Sequence, residues 1–156
     1  MKEITLTKGK VALVDDEDFE HLSGRKWTTL KAPGTFYAYR KDSNRKSILM
    51  HREIIDPPRG MQTDHKDRDG LNNQRNNLRI CTQAQNNANT RHLGRRNTTG
   101  FRGVFYFEER NKWVARISIK NKPHHLGIFT DKESAALAYD NAARKHFGEF
   151  ASLNYS

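Results

Sequence analysis

An α+β fold in two units is predicted for this chain of 156 residues, and three observations predict it. The first half sets short apolar runs between turn residues and ends in a strand, loop, strand and helix, the polar loop following Asp64 and His65 directly. Residues 89–100 then turn polar and basic with no apolar periodicity, which marks a linker. The last third carries two-residue alternation followed by an alanine-rich helix, so a three-stranded antiparallel sheet packed on one helix is expected there. The expected division is a unit of residues 1–90, a basic linker of 91–97 and a unit of 98–156.

In the first unit, small β elements surround a short helix. Residues 4–6 and 11–14 are strand-like, and Asp15, Asp16, Glu17 and Asp18 supply a helix start, where carboxylates meet the positive end of the helix dipole. Trp27, Tyr37 and Tyr39 are the large core candidates. Residues 47–51 read as a strand leading into Arg52 and the break at Pro57 and Pro58. After His65 come twelve residues rich in Asp, Asn and Gly, a loop composition. Residues 77–81 alternate as a short strand, and Thr82 with Gln85 forms a capping box that opens a helix.

In the second unit, Trp113, Ala115, Ile117 and Ile119 fall on one face of a strand and Val114, Arg116, Ser118 and Lys120 on the other, so one face packs and the other is basic. A turn at 121–123 leads to a strand around 126–129. Thr130 is the expected cap of a helix over 131–147, with Glu133 closing a capping box and Gly148 ending it. Ala135, Ala136, Ala138, Ala142 and Ala143 keep that helix slim enough to approach a sheet closely.

The formal net charge is +10 and the pI about 9.9, with Lys and Arg spread along the whole length. A cationic surface gains counterion release on a polyanion, and this composition favours nucleic acid over a membrane as partner. No apolar run approaches a membrane span and the first residues lack the apolar core of a secretion signal, so an intracellular, cytoplasmic protein is expected. The one cysteine, Cys81, excludes an internal disulfide and argues against a cysteine-rich zinc site.

Asp64-His65, the Gly-bearing loop, Asn77-Leu78-Arg79 and Gln85-Asn86 follow one another in an order that resembles the HNH nuclease family. The resemblance is to the variant ending in Asn rather than His, seen in mobile endonucleases of phage and organelle introns. It implies a ββα-metal nuclease unit in which His65 is the general base that activates water. Asp64 and Asn86 would hold a divalent metal, Mg²⁺ or another such as Mn²⁺, and Asn77 would orient the His65 ring. The residue types suit the reaction: imidazole has its ordinary pKa near neutrality, and one carboxylate with one amide oxygen is a hard donor pair that leaves room for waters and phosphate oxygens. Asn87 and Asn89 compete with Asn86 for the ligand position, and Asn76 with Asn77; spacing and Gln85 favour Asn86. His51-Arg52 also recurs in such endonucleases just before the active-site unit, and His51 reads equally as a hydrogen-bonded structural histidine.

Residues 98–155 carry a second resemblance. Arg102-Gly103-Val104, Lys112-Trp113-Val114-Ala115, Leu126-Gly127-Ile128-Phe129, the run from Ala135 to Asp140, and Leu153-Asn154-Tyr155 resemble the Apetala-two or ethylene-response-factor DNA-binding domain of plants, which also occurs fused to phage-type endonucleases. The resemblance implies that the sheet face enters the DNA major groove, with Arg102, Phe105, Arg116, Ser118 and His125 where such domains read bases and phosphates. Phe105 stands at a usual arginine, Arg116 at a usual glutamate, Ser118 at a usual arginine and His125 at a usual tryptophan. The fold therefore carries over, and the plant target sequence does not. Lys120 is expected on a phosphate, and Arg91, Arg95 and Arg96 of the linker on the DNA backbone.

Two functions follow. One is a phage-encoded or mobile-element DNA endonuclease of the homing type, acting on double-stranded DNA in a bacterial host cell as a monomer or a DNA-assembled dimer. The other is a sequence-specific DNA-binding regulator whose nuclease-like unit is inactive.

Overall fold

A computed structural model describes residues 1–90, 93, 97–120 and 122–155. The chain divides into two compact units, residues 1–86 and 87–156, in a mixed α+β fold of small sheets and few helices. Among the described residues no helix is long and apolar enough to cross a membrane.

The first unit opens with an antiparallel hairpin of β1 (Lys2–Thr5) and β2 (Val11–Val14), in register Ile4 opposite Ala12. Helix α1 (Asp16–Ser23) follows. The strands β3 (Thr28–Ala32), β4 (Thr35–Lys41) and β5 (Ser47–Leu49) then form an antiparallel sheet in that order. Helix α2 (Met50–Ile55) leads to the hairpin β6 (Gln62–His65) and β7 (Leu78–Cys81), and α3 (Gln83–Ala88) completes the strand, loop, strand, helix succession. Ile4, Leu6, Val14, Leu22, Trp27, Met50, Ile54 and Leu78 form the core, and the Trp27 indole, almost wholly buried, donates to the Leu22 carbonyl at 2.8 Å.

One expectation for this unit is corrected. Residues 47–51 do not continue as one strand: β5 stops at Leu49, and His51 and Arg52 lie on α2. Met50, His51 and Ile54 are all buried, a pattern that a helix gathers on one side and a strand would split between its two faces. The acidic run opens α1 as expected, with Asp16, Glu17 and Asp18 in its first turn, and it has a second job. Asp15 stands at the N-cap position without making a cap bond; its carboxylate accepts from the Arg75 amide at 2.7 Å and the Gln74 side chain at 3.2 Å. Asp18, 2 % exposed, takes both Nε and Nη2 of Arg75, at 2.8 and 2.7 Å. The acids thus anchor the segment before β7 from 57 to 60 residues away.

The second unit is an antiparallel sheet ordered β10-β9-β8, with β8 (Val104–Phe107), β9 (Lys112–Ile119) and β10 (Lys122–Phe129), packed on α4 (Lys132–Phe147). Val104, Ala115 and Ile117 meet Ala135, Ala136, Tyr139 and Ala143. The packing side of β9 is the expected one, Trp113, Ala115, Ile117 and Ile119. The helix cap is not: Asp131, rather than Thr130, accepts from the Ser134 amide at 2.6 Å and from its hydroxyl at 2.9 Å. A carboxylate there adds dipole stabilisation that a hydroxyl lacks. Lys120 falls beyond the end of β9 with φ of 51°, in the turn rather than on the strand face. Buried Asp140 ties down the last residues, accepting from the amides of Asn154 and Tyr155 at 2.8 Å each, while Asn154 Oδ1 accepts from the Arg102 amide.

Gly103, just before β8, packs directly against α4. Its φ is +70°, its carbonyl accepts from the Arg116 amide at 2.8 Å, and a Cβ there would stand 2.2 Å from the Tyr139 ring and 2.4 Å from the Arg116 carbonyl. Gly103→Ala should therefore destabilise the second unit by about 2 kcal/mol or more, read as a lowered thermal midpoint. A melt unchanged from the parent would show that the helix is free to retreat.

Candidate active site

The β6–β7 hairpin pairs Gln62 with Cys81, Thr63 with Ile80, Asp64 with Arg79 and His65 with Leu78. Because side chains alternate along a strand, Gln62, Asp64 and Arg79 share one face, and Thr63, His65 and Leu78 the other. His65 is the last residue of β6, where the chain enters the loop of residues 66–77.

That loop is held by its own polar side chains. Asp67 Oδ1 accepts from the Asp69 amide at 2.8 Å and from Asn77 Nδ2 at 2.9 Å, and its Oδ2 accepts from Asn72 Nδ2 at 2.7 Å. Asn77 Nδ2 also donates to the Asn72 carbonyl at 2.8 Å, and its Oδ1 accepts from the Asp67 amide at 3.1 Å. Both ends of the Asn77 amide are thus engaged in the loop. The resemblance expects Asn77 at the His65 ring; in the structure Asn73 stands there instead, its Oδ1 3.3 Å from His65 Nε2. The fully buried Asn73 is oriented by Nδ2 donating to the Leu71 carbonyl at 3.1 Å and by its amide donating to Leu13 O at 2.8 Å.

Aromatic rings enclose the other sides of His65. The His51 ring meets it edge-on with centroids 5.0 Å apart, and the Tyr37 ring lies at 5.8 Å from it and 5.4 Å from His51. Tyr37 thus lines this site rather than the core. Burial pulls the His65 imidazole below its ordinary pKa, against the opposing pull of Asn73, Asp67, Asp64 and Asp69. His51 is pushed down to about 3, by burial first and then by His65 and Arg52, and its buried Nδ1 has no hydrogen-bond partner among the described residues. Both rings are neutral near pH 7.

On the opposite hairpin face, Asp64 is 5 % exposed and its Oδ2 accepts from Arg79 Nε at 2.9 Å and Nη2 at 2.8 Å. The Thr82–Gln85 capping box forms, with Thr82 N donating to Gln85 Oε1 at 2.8 Å and Gln85 N to Thr82 Oγ1 at 3.3 Å. It starts α3 so that Asn86 Nδ2 donates to Gln62 Oε1 at 2.7 Å, two residues along β6 from Asp64. Asn86 therefore meets the strand face that carries Asp64. Asn76 is outside the cluster, its carbonyl accepting from Lys66 Nζ at 2.8 Å. Among the described residues no three His, Cys, Asp or Glu side chains gather as a metal cage. One carboxylate and one amide oxygen on a common face fit a hard cation that keeps most of its waters.

In the second unit, Phe105, Arg116, Ser118 and His125 are exposed on the sheet face turned away from α4, with Arg116 directly opposite His125. Lys120 is exposed in its turn, and Arg102 is half-buried, its guanidinium donating to the Thr90 carbonyl. Arg91, Arg95 and Arg96 lie outside the described residues. Val114, expected on the basic face, is buried between its cross-strand neighbours Phe105 and Ile128, so the face is less polar than alternation alone predicts. Tyr37 is expected in the core and Arg79 only as part of the Asn77-Leu78-Arg79 motif, and Asn73 has no expected role. Only the Asn72-Asn73 pair within the loop offered a signal, and nothing in it separates one asparagine from the next.

The β6–β7 hairpin thus ends at a buried histidine, with the Asp64 carboxylate and the Asn86 amide on its opposite face. The sequence profile of the HNH endonuclease family matches residues 56–88. An uncharacterized HNH endonuclease, L560 of Acanthamoeba polyphaga mimivirus, is 29 % identical over 149 residues, 94 % of this chain and 76 % of that protein. Protein 3.8 of Escherichia phage T7 is 30 % identical over 94 residues, 60 % of this chain and 76 % of that protein. The ethylene-responsive transcription factor ERF024 of Arabidopsis thaliana is 44 % identical over 57 residues, 35 % of this chain and 31 % of that protein. The chain belongs to the HNH endonucleases, DNA nucleases with relatives in viruses.

The buried histidines give the fold a pH dependence. An unfolded histidine titrates near 6.5, whereas burial lowers both rings in the folded chain, so on acidification the unfolded state binds protons first. The stability they contribute is complete above about pH 6.5 and is lost as the pH falls, for His51 down to about 3. Thermal melts at stepped pH should show a falling midpoint over that window, with a shallower slope in His51→Leu; equal slopes would mean that His51 carries none of it.

Proposed function

We propose that this chain is a divalent-metal-dependent DNA endonuclease of the homing type, in which His65 activates water and the exposed sheet face of the second unit selects the DNA. The neutral His65 ring, fixed by Asn73 at the end of β6, is the observation that carries the reading. With Asn73 Oδ1 accepting, Nε2 carries the ring hydrogen and Nδ1 is the basic atom. Nδ1 takes a proton as the water oxygen bonds to phosphorus, and the bond from phosphorus to the leaving oxygen breaks. Burial helps by keeping the ring unprotonated before the reaction. Asp64 and Asn86 are the residues that would hold Mg²⁺ or Mn²⁺, which when bound offsets the charge on the scissile phosphate and leaving oxygen. Arg79 fixes the Asp64 carboxylate through one oxygen, Oδ2, so its orientation is set by the fold. Asn77 acts at one remove, by holding the loop that delivers Asn73.

The targeting role rests on the resemblance of residues 98–155 to a plant DNA-binding domain, on the match to ERF024, and on the exposed Arg116 and His125. The linker arginines Arg91, Arg95 and Arg96, with Lys120, add phosphate contacts in this reading. Joining a selecting unit to a cutting unit raises the local concentration of the nuclease at its site.

Supercoiled plasmid incubated with Mg²⁺ should pass to open-circular and then linear forms, and EDTA should stop it. His65→Ala should slow cleavage about 10²–10⁴-fold with DNA affinity nearly unchanged. Asn73→Ala should slow it about 10–100-fold, as expected for a group that orients a catalytic ring. Intact plasmid at every metal concentration tried, with tight duplex binding, would favour a DNA-binding regulator instead.

A further inference from the structure

The exposed face of the second sheet is organised in rows. Phe105, Val114 and Ile128 stand directly opposite one another across β8, β9 and β10. One row along lie Arg116 and His125, and on the other side lie Phe107 and Lys112. Arg110 adds a guanidinium 5.7 Å from the Phe107 ring. An apolar row therefore runs between two cationic ones. Phe105 is 53 % and Ile128 45 % exposed, yet Val114 at the bottom is 5 % exposed, so the row is a shallow depression, of about 250 Å³, and not a flat patch.

We propose that this depression is a subsite for the 5-methyl edge of pyrimidines, making Phe105 and Ile128 specificity residues for thymine in duplex DNA. The inference rests on the reading that this sheet face binds DNA. Three strands span about 10 Å from first to last, which enters a major groove about 12 Å wide. On the floor of that groove the thymine methyl is the one apolar group a base pair presents, and phenylalanine is among the side chains that contact it. The flanking cations complement what surrounds it: Arg116 and His125 can donate to purine acceptors or phosphate, and Lys112 and Arg110 to phosphate on the other side. Rows two residues apart are separated by about 6.8 Å, two base-pair steps, so the thymine belongs within about two steps of a guanine read by Arg116. An arginine in place of Phe105 would fill the depression with charge; this chain leaves it apolar.

The test uses the full chain in EDTA, so that binding is measured without cleavage. The preferred duplex is first obtained by selection from random sequence, and each thymine in it is then replaced by uracil, which removes only the methyl group. At one or two positions uracil should weaken binding about fourfold per methyl. In Phe105→Ala and Ile128→Ala, both exposed changes whose folding is checked by melting, thymine and uracil duplexes should bind alike. Uracil without effect at every position, or an effect that persists in both variants, overturns the inference. Tighter binding to the single strand than to the duplex also overturns it, pointing to base stacking on Phe105. If Arg116→Ala shifts the selected sequence while uracil is neutral, the DNA-binding reading stands and only the methyl subsite falls. If Phe105→Ala, Ile128→Ala and Arg116→Ala all leave duplex binding untouched, the reading beneath the inference falls with it.

Discussion

The connection between β6 and β7 is held by its own polar side chains, and the candidate site depends on how it is held. A two-stranded ribbon of four residues per strand is not stable by itself, and ordering twelve loop residues opposes folding at every one of them. The loop offsets this by giving its backbone and amide groups definite partners. Asp67 gathers the Asp69 amide and the side chains of Asn72 and Asn77. Leu13 exchanges backbone bonds with Leu71 and Asn73, and Gly70 N donates to the Thr35 hydroxyl at 2.9 Å. Arg75 is clamped by Asp18. With the loop fixed, Asn73 reaches His65, Leu78 enters the core, and Asp64 stands opposite Arg79.

The Asp64–Arg79 pair is better understood as an orienting device than as a source of stability. Burying both charges costs several kcal/mol in desolvation, about what their attraction returns, so apolar residues of similar size would hold the hairpin as well. What apolar residues would lack is a carboxylate with a defined direction. Arg79 Nε and Nη2 both bind Oδ2, which fixes the position of that oxygen.

Local signals in the sequence were legible and long-range ones were not. The capping box of Thr82 and Gln85, the alternation from Trp113 to Ile119, and the alanine face of α4 each involve residues near one another in the chain, and each appears in the structure. The errors share a cause. Asp15 and Asp18 do start α1 as their position suggests, but nothing local shows that they also bind partners beyond residue 73. Asn77 was placed at the His65 ring on resemblance, and only the folded loop reveals that Asn73 occupies that position. The break between β5 and α2 depends on Met50 and Ile54 both finding the core, which five residues of pattern cannot show.

The second unit separates the residues that make the fold from those that would read DNA. Its architecture is fixed on the helix side, by Gly103 against Tyr139, by Ala115 against Ala135 and Ala136, and by Asp140 holding the backbone of Asn154 and Tyr155. Phe105, Arg116, Ser118 and His125 project from the opposite face and belong to none of those contacts. A sheet covered on one side only can exchange its open face without repacking its core. Such an exchange would account for the four positions at which this chain differs from the plant domains it resembles. A fold preserved beneath a rewritten surface says little about which sequence is bound, so specificity has to be argued from the side chains on that face. Here they put an apolar row between cationic ones, chemistry that a wholly basic face would not offer.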